Sequence, residues 1–241
     1  MRKRADIVLV ERGFFSSRAR AQAAIAAGLV SVGGVALKKP SEEIGDSVPI
    51  EASAPHPYVS RGGVKLAAAL DAFEFEPEGI VCLDVGASTG GFTDVLLARG
   101  ARRVVAVDVG HGQLDKRLAA DPRVRSLEGL DARALTPEHI GEAPAAIVCD
   151  VSFISQRLVL PQVLKLAARP AWLVSLVKPQ FEVGPAQIVK GRVRSEAALA
   201  RACDEVSACV AALGWTVLGL IPSPLLGGGG AREFLLGARH G

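Results

Sequence analysis

From residue 80 onward, short continuous apolar runs take turns with segments whose apolar positions recur every three or four residues. VCLDVG (81–86), RRVVAVDVG (102–110), VRSLEGLDA (124–132), AAIVCDVSF (145–153) and AWLVSLVKP (171–179) predict strands. GFTDVLLARG (91–100), GQLDKRLAA (112–120) and SQRLVLPQVLKLAA (155–168) have helical spacing and lie between them. Such alternation predicts an α/β fold, a doubly wound parallel sheet with both faces covered by helices. After a loop rich in Gly and Lys, SEAALARACDEVSACVAALG reads as a helix and WTVLGLIP as a strand, and REFLLGAR, beyond a GGGG run, reads as another strand. Their short connection favours an antiparallel hairpin.

The first fifty residues follow another pattern. ADIVLVERGFF predicts a short helix closed near Gly13. Ser16 or Ser17 can cap SRARAQAAIAAG, which ends on Gly28, and LVSVGGVAL alternates around Gly33-Gly34 as a hairpin does. KKPSEEIGDSVPIEA supplies a turn and a last strand. Two short helices, then a hairpin, carrying S-R-x-x-A-x-x-x-I-x-x-G-x-V-x-V from Ser17 to Val32, resemble the small α+β S4 RNA-binding domain over residues 4 to 52. The resemblance implies that Arg4, Arg18, Arg20, Lys38 and Lys39 contact RNA. The expected division is a basic module over 1–55, a linker over 56–64 and a larger domain over 65–241.

Charge sharpens that division. The chain of 241 residues carries a formal +3, yet residues 1–40 hold eight Lys/Arg against Asp6 and Glu11, a net +6, which leaves −3 for the rest. A polyanionic partner at the N-terminal end fits this asymmetry, although a solvated basic face explains a charge cluster taken alone. The most apolar stretch, Cys209 to Leu226, is broken by Gly214, Thr216, Gly219, Pro222 and Pro224. That is no spanning helix, which needs about 20 continuous apolar residues. Asp6, Glu11 and Arg12 interrupt any leader core, so a cytoplasmic protein is expected. Cys82, Cys149, Cys203 and Cys209 show no C-x-x-C spacing, which argues against disulfides and zinc.

The chemistry concentrates in LDVGASTGGFTD (83–94). Gly86-Ala87-Ser88-Thr89-Gly90-Gly91 matches neither G-x-G-x-x-G nor G-x-x-x-x-G-K-[ST], so pyrophosphate and triphosphate cradles fit poorly. Asp84 at the strand end would repel an anion and welcome a cation. S-adenosylmethionine carries a sulfonium and an ammonium. Asp108, closing the next strand 22 positions after Gly86, can accept from both ribose hydroxyls, and Asp131 is placed to meet the adenine amino group. Asp150 and Lys178 end the fourth and fifth strands, at the edge where open α/β sheets bind ligands. Lys178 lies in an apolar run, where an ammonium needs a partner. Lys65 in SRGGVKL and Glu233 in REFLL offer a second acid–base pair.

In order and spacing, SRGGVKL, LDVGASTGGFTD, VDVGHGQL, DVSFIS, LVKPQFE and the late EF pair resemble the TlyA family, ribosomal RNA 2′-O-methyltransferases historically called hemolysins. The resemblance implies an S4 domain joined to a Rossmann-like, FtsJ-type methyltransferase domain, with S-adenosylmethionine held by the loop from Gly86 to Phe92. It implies a catalytic tetrad on Lys65, Asp150, Lys178 and Glu233. It also implies a cytidine ribose in large-subunit RNA as substrate, with small-subunit RNA added in some members. Ala231 stands where the family usually has Asn. Lys178 would take the 2′-hydroxyl proton or, as an ammonium, stabilise the developing alkoxide. No metal is needed. Two rivals are an inactive recruiter of RNA, against which the filling of all four tetrad positions counts, and a membrane-lytic protein, against which the absence of a spanning or long basic amphipathic segment counts.

Overall fold

The computed structural model describes residues 2–15, 17–45, 47–54 and 56–241. The chain divides into two compact units, residues 1–57 and 58–241.

In the first unit, α1 (Ala5–Glu11) and α2 (Arg18–Ala26) bury stripes of small and branched residues, Ala5, Val8 and Leu9 against Ala21, Ala24 and Ile25. Ser17 caps α2, its hydroxyl accepting from the Arg20 N–H, and Gly28 follows the helix at φ 71°. Ser16, the other expected cap, lies outside the described residues. β2 (Val30–Val32) and β3 (Val35–Ala36) form the expected hairpin, with both turn residues left-handed, Gly33 at φ 58° and Gly34 at φ 78°. β5 (Ile50–Ala52) pairs with the other side of β2. A further pair, β1 (Arg2–Arg4) with β4 (Glu43–Gly45), escaped the sequence pattern, since three consecutive basic residues show no apolar alternation.

The second unit opens with α3 (Arg61–Phe73) and continues as β6 (Val81–Val85), α4 (Gly91–Ala98), β7 (Arg103–Asp108), α5 (Lys116–Ala119), β8 (Val124–Glu128), α6 (Pro137–Ile140), β9 (Ala146–Cys149), α7 (Gln156–Val163), β10 (Ala171–Val177), α8 (Pro179–Glu182), β11 (Ile188–Val189), β12 (Arg192–Val193), α9 (Glu196–Ala212), β13 (Thr216–Pro222) and β14 (Phe234–His240). Seven strands form one sheet in the order β13-β14-β10-β9-β6-β7-β8. β6 to β10 run parallel, whereas β14 lies antiparallel between β13 and β10. The central strands read as unbroken apolar runs because both faces are covered. One core layer contains Val85, Ile147, Leu160 and Val206, and the other Leu66, Leu70, Phe92 and Val148.

The stretch 56–64 differs from the expected linker. The Val59 N–H donates to Asp94 Oδ2 at 2.8 Å, and a Cβ on Gly63 would come within 2.5 Å of the Tyr58 ring. Residues 58–64 are thus bound into the second unit. GQLDKRLAA also yields less helix than its spacing suggests, because the Asp115 N–H donates to Thr89 O and Gln113 accepts from Ser88 Oγ, holding 113–115 against the glycine-rich loop. The Gly- and Lys-rich loop after β10 contains the short hairpin β11–β12. Among the described residues no helix is long and apolar enough to cross a membrane.

Candidate active site

β6, β9 and β10 are parallel, so Val85, Cys149 and Val177 all end on one edge of the sheet. β14 arrives from the opposite direction, and its first residue, Phe234, pairs with Val177. That register sets Glu233, just before β14, beside Lys178, just after β10. Residues 55 apart in the chain thereby meet at one edge.

Two ion pairs occupy it. Lys178 Nζ lies 2.5 Å from Asp150 Oδ1 without hydrogen-bond alignment to it, and Lys178 donates to Ser152 Oγ at 2.8 Å. Lys65, on the second turn of α3, donates to Glu233 Oε2 at 2.5 Å, and both side chains are more than nine-tenths buried. A buried ion pair gains little net stability over an apolar replacement, so chemistry is the better reason for its presence. Ala231 is buried and accepts from the Gly227 N–H at 2.8 Å. The turn that presents Glu233 therefore closes through backbone, without the amide side chain expected from the family pattern.

The glycine-rich loop turns sharply onto α4. Gly86 has φ 83°, and a Cβ there would come within 2.5 Å of the Asp150 carbonyl oxygen. Only glycine fits so close to β9. The Gly86 and Ala87 N–H groups donate to Val107 O, while Ser88, at φ 47°, donates its N–H to Asp108 Oδ2 at 2.8 Å. Gly90 directly precedes α4 at φ 91°, and Gly91 lies against Ser60. Thr89 is exposed, whereas Phe92 is buried; both border the smaller of two cavities at this loop.

Two cavities adjoin at this loop. One of about 500 Å³ is lined by Gly86, Val107, Asp108, Leu130, Asp131 and Ile154; the other, of about 330 Å³, by Arg61, Lys65, Thr89 and Lys178 among others. Gly86, Ser88, Asp150 and Ser152 belong to both. The first has the size of a small-molecule site, apolar walls and acceptors at one side. That combination suits an adenosine bearing a cationic tail.

The proposed acceptors are already partly engaged. Asp108 accepts from Ser88 and, through Oδ1, from the Gly110 N–H at 2.7 Å, leaving further lone pairs on each oxygen. Asp131 is forked by the Arg133 guanidinium at 2.6–3.0 Å, which holds its carboxyl below the usual carboxylate range. Asp84 departs from expectation. It lines neither cavity and is fully buried, with Oδ2 accepting from Thr93 Oγ1 at 2.6 Å and Oδ1 without a hydrogen-bond partner among the described residues. Burial pushes its carboxyl up to about 7, the Thr93 bond opposes that shift, and the Asp150 charge adds to it. Any attraction it exerts on a cation acts through the interior, not by contact.

Several residues of this site escaped the sequence reading. Phe153, at φ 64° and 91% exposed, stands at the wall of the larger cavity with its ring 5.1 Å from that of Phe181. Buried Glu182 accepts from Ser155 Oγ at 2.5 Å and the Gln156 N–H at 2.8 Å, fastening the segment after Asp150 to the helix after Lys178. DVSFIS and LVKPQFE hold these residues, but nothing in either motif tells which side chain turns inward.

The first unit revises part of the RNA expectation. Asp6 is buried and accepts from Arg4 at 3.0 and 3.1 Å, from Arg18 at 2.9 and 3.2 Å, and from Gln22 at 2.7 Å. The Arg4 bond above all holds its carboxyl far below the ordinary range. Arg4 and Arg18 thus help hold the unit together, because a buried carboxylate needs paired cations. Lys38 and Lys39 are exposed, and their backbone N–H groups donate to Glu42 Oε1. Arg20 is half-buried.

The chain is similar to known proteins along its whole length. The family description FtsJ-like methyltransferase matches residues 58–240, and the S4 domain matches residues 3–48. The 16S/23S rRNA (cytidine-2′-O)-methyltransferase TlyA of Mycobacterium tuberculosis is 46% identical, over 99% of this chain and 90% of its own. Hemolysin A of Brachyspira hyodysenteriae is 39% identical, over 96% of this chain and 98% of its own. The solved structure of a hemolysin-named protein from Streptococcus thermophilus superposes with a TM-score of 0.79 at 40% identity, over 99% of this chain and 88% of that one.

Proposed function

The chain belongs to the FtsJ-like methyltransferase family, in its TlyA branch, and from that membership we propose that it transfers a methyl group from S-adenosylmethionine to the 2′-oxygen of a cytidine ribose in ribosomal RNA. The observation that carries this reading is the Lys178–Asp150 pair at the junction of the two cavities. The larger cavity would hold the adenosine against Asp108 and Asp131, and the smaller would receive the target ribose. The basic first unit would hold the RNA, and the substrate would place the enzyme in the cytoplasm.

Bound S-adenosylmethionine supplies an electrophilic methyl group on sulfur. A ribose hydroxyl is a weak nucleophile and must lose its proton as it attacks in line. Lys178 Nζ, in the smaller cavity beside the shared Asp150, would take that proton as the neutral amine or, as the ammonium, stabilise the oxygen's growing charge. Asp150 and Ser152 hold the Nζ in place. Lys65, fixed by Glu233, lines the smaller cavity and would orient the ribose.

Lys178→Ala should lower single-turnover transfer to ribosomal RNA by at least about a hundredfold, as for loss of a general base. Binding of cofactor and RNA should stay near wild type. Transfer at the wild-type rate would remove Lys178 from the chemistry. A wild-type protein that methylates no ribosomal RNA would replace the enzyme with a recruiting module.

A further inference from the structure

We propose that the hairpin β11–β12 grips the phosphate backbone of the RNA beside the reacting ribose, as a cationic contact built into the catalytic unit. Residues 183–195, VGPAQIVKGRVRS, contain Lys190, Arg192 and Arg194 and no acid. All three cations are exposed, and among the described residues none forms an ion pair or a side-chain hydrogen bond. Three acids of the adjoining helices are engaged elsewhere: Glu196 by Arg232 at 2.5 Å, Glu205 by Arg157 at 2.8 Å, and Glu182 by the contacts described above.

The backbone arranges these charges. Lys190 and Gly191 form a two-residue turn with both φ positive, 51° and 76°, between the pairs Val189↔Arg192 and Ile188↔Val193. In a strand, alternate residues face opposite ways. Val193 turns inward and packs with Val183, Leu199 and Phe234, so Arg192 and Arg194 turn outward. Phe234 directly follows Glu233, and the Arg192 guanidinium lies against Gly230, where a Cβ would approach it at 3.1 Å. The hairpin is thereby fastened on both its faces to the segment that presents Glu233. None of its cations lines either cavity; what ties them to the site is this packing on the segment that ends in Glu233.

A ribose within RNA brings a phosphate on either side. Exposed Arg and Lys bind such phosphates without reading sequence, and thereby fix the register of the strand. The proposal rests on the RNA methyltransferase reading above. On that reading the hairpin meets the strand at the point of reaction, a task separate from recruitment by the basic first unit.

Two variants test it, K190E/R192E/R194E and K190A/R194A, the second of which leaves the packing of Arg192 on Gly230 intact. The readouts are affinity for a ribosomal RNA fragment across a salt series, KM for that RNA, and calorimetric affinity for S-adenosylmethionine. The charge reversal should weaken RNA binding at least tenfold near physiological salt. The double alanine should flatten the salt slope by about 1.4 to 1.8, from about 0.7 to 0.9 per lost contact, and raise KM for RNA. Cofactor affinity should not move. If the reversal variant fails to fold, the double alanine decides. Wild-type RNA affinity and salt slope in the double alanine, with the unmodified protein methylating RNA, would overturn the hairpin contact and leave the enzyme reading intact. No methyl transfer to RNA by the unmodified protein would remove both.

Discussion

Gly86→Ala, set against Gly79→Ala, isolates what the glycine-rich loop demands. Both residues are left-handed, at φ 83° and φ 71°, so an added Cβ costs either about 1 to 2 kcal/mol in backbone strain. Gly79 has no atom within 4 Å of that Cβ, and its cost ends there. At Gly86 the new carbon would lie 2.5 Å from the Asp150 carbonyl oxygen and 2.9 Å from its carbon, backbone atoms that no rotamer change can move. Relief to 3.0 Å requires the turn and the end of β9 to separate by about 0.5 Å, an overpacking cost of about 1 to 3 kcal/mol. For a unit of this size each kcal/mol shifts Tm by about 2 to 4 °C. Gly86→Ala should therefore melt about 2 to 12 °C below Gly79→Ala by calorimetry. Because Asp150 belongs to the part that moves, methyl transfer and cofactor affinity should fall in Gly86→Ala alone. Equal melting temperatures and equal cofactor affinity for the two variants would refute the close-approach argument.

Three further outcomes follow from the same contacts. Asp108→Ala should weaken S-adenosylmethionine binding by about 1.5 to 3 kcal/mol, since it removes a charged acceptor from the cavity wall and frees the Ser88 and Gly110 N–H groups; calorimetric titration measures it. Asp6→Ala should destabilise the first unit by about 1 to 3 kcal/mol. Asp6 is held below its ordinary range, so its stabilisation is complete above about pH 4 and fades as pH falls further, and Asp6→Ala should lack that acid-side loss in thermal melts. Asp84 has the opposite sign. With its carboxyl pushed up to about 7, it favours the fold fully below about pH 4 and loses that advantage as pH rises toward 7, so Asp84→Asn should gain stability relative to wild type across that window, as read from denaturant midpoints.

The parallel part of the fold was legible because burial on both faces writes continuous apolar strands, and all five of β6 to β10 lie where such runs predict them. The antiparallel turn-back of β14 was legible from the short connection after β13. Its register was not, and Val177↔Phe234 is what brings Glu233 to Lys178. Register depends on which faces meet across the sheet, and that information lies outside any one segment. Polar residues were harder still. Arg4 and Arg18 read as phosphate contacts because their charge is visible in sequence, whereas the burial of Asp6 that draws them inward is not. Asp84 read as a contact to ligand because it ends a strand, yet strand alternation and the hydroxyl of Thr93 turn it into the core.

The placement of β14 between β10 and β13 bears on when activity can first arise during synthesis. Lys65 leaves the ribosome early, but its partner Glu233 follows 168 residues later. At about 5 to 20 residues per second, that gap is roughly 8 to 34 s. Until then the edge of β10 is unpaired, one buried lysine has no counter-charge, and the site is open on one side. On the proposed reading, a nascent chain whose basic first unit is already folded would bind RNA while still unable to modify it, and competence would arrive only with β14.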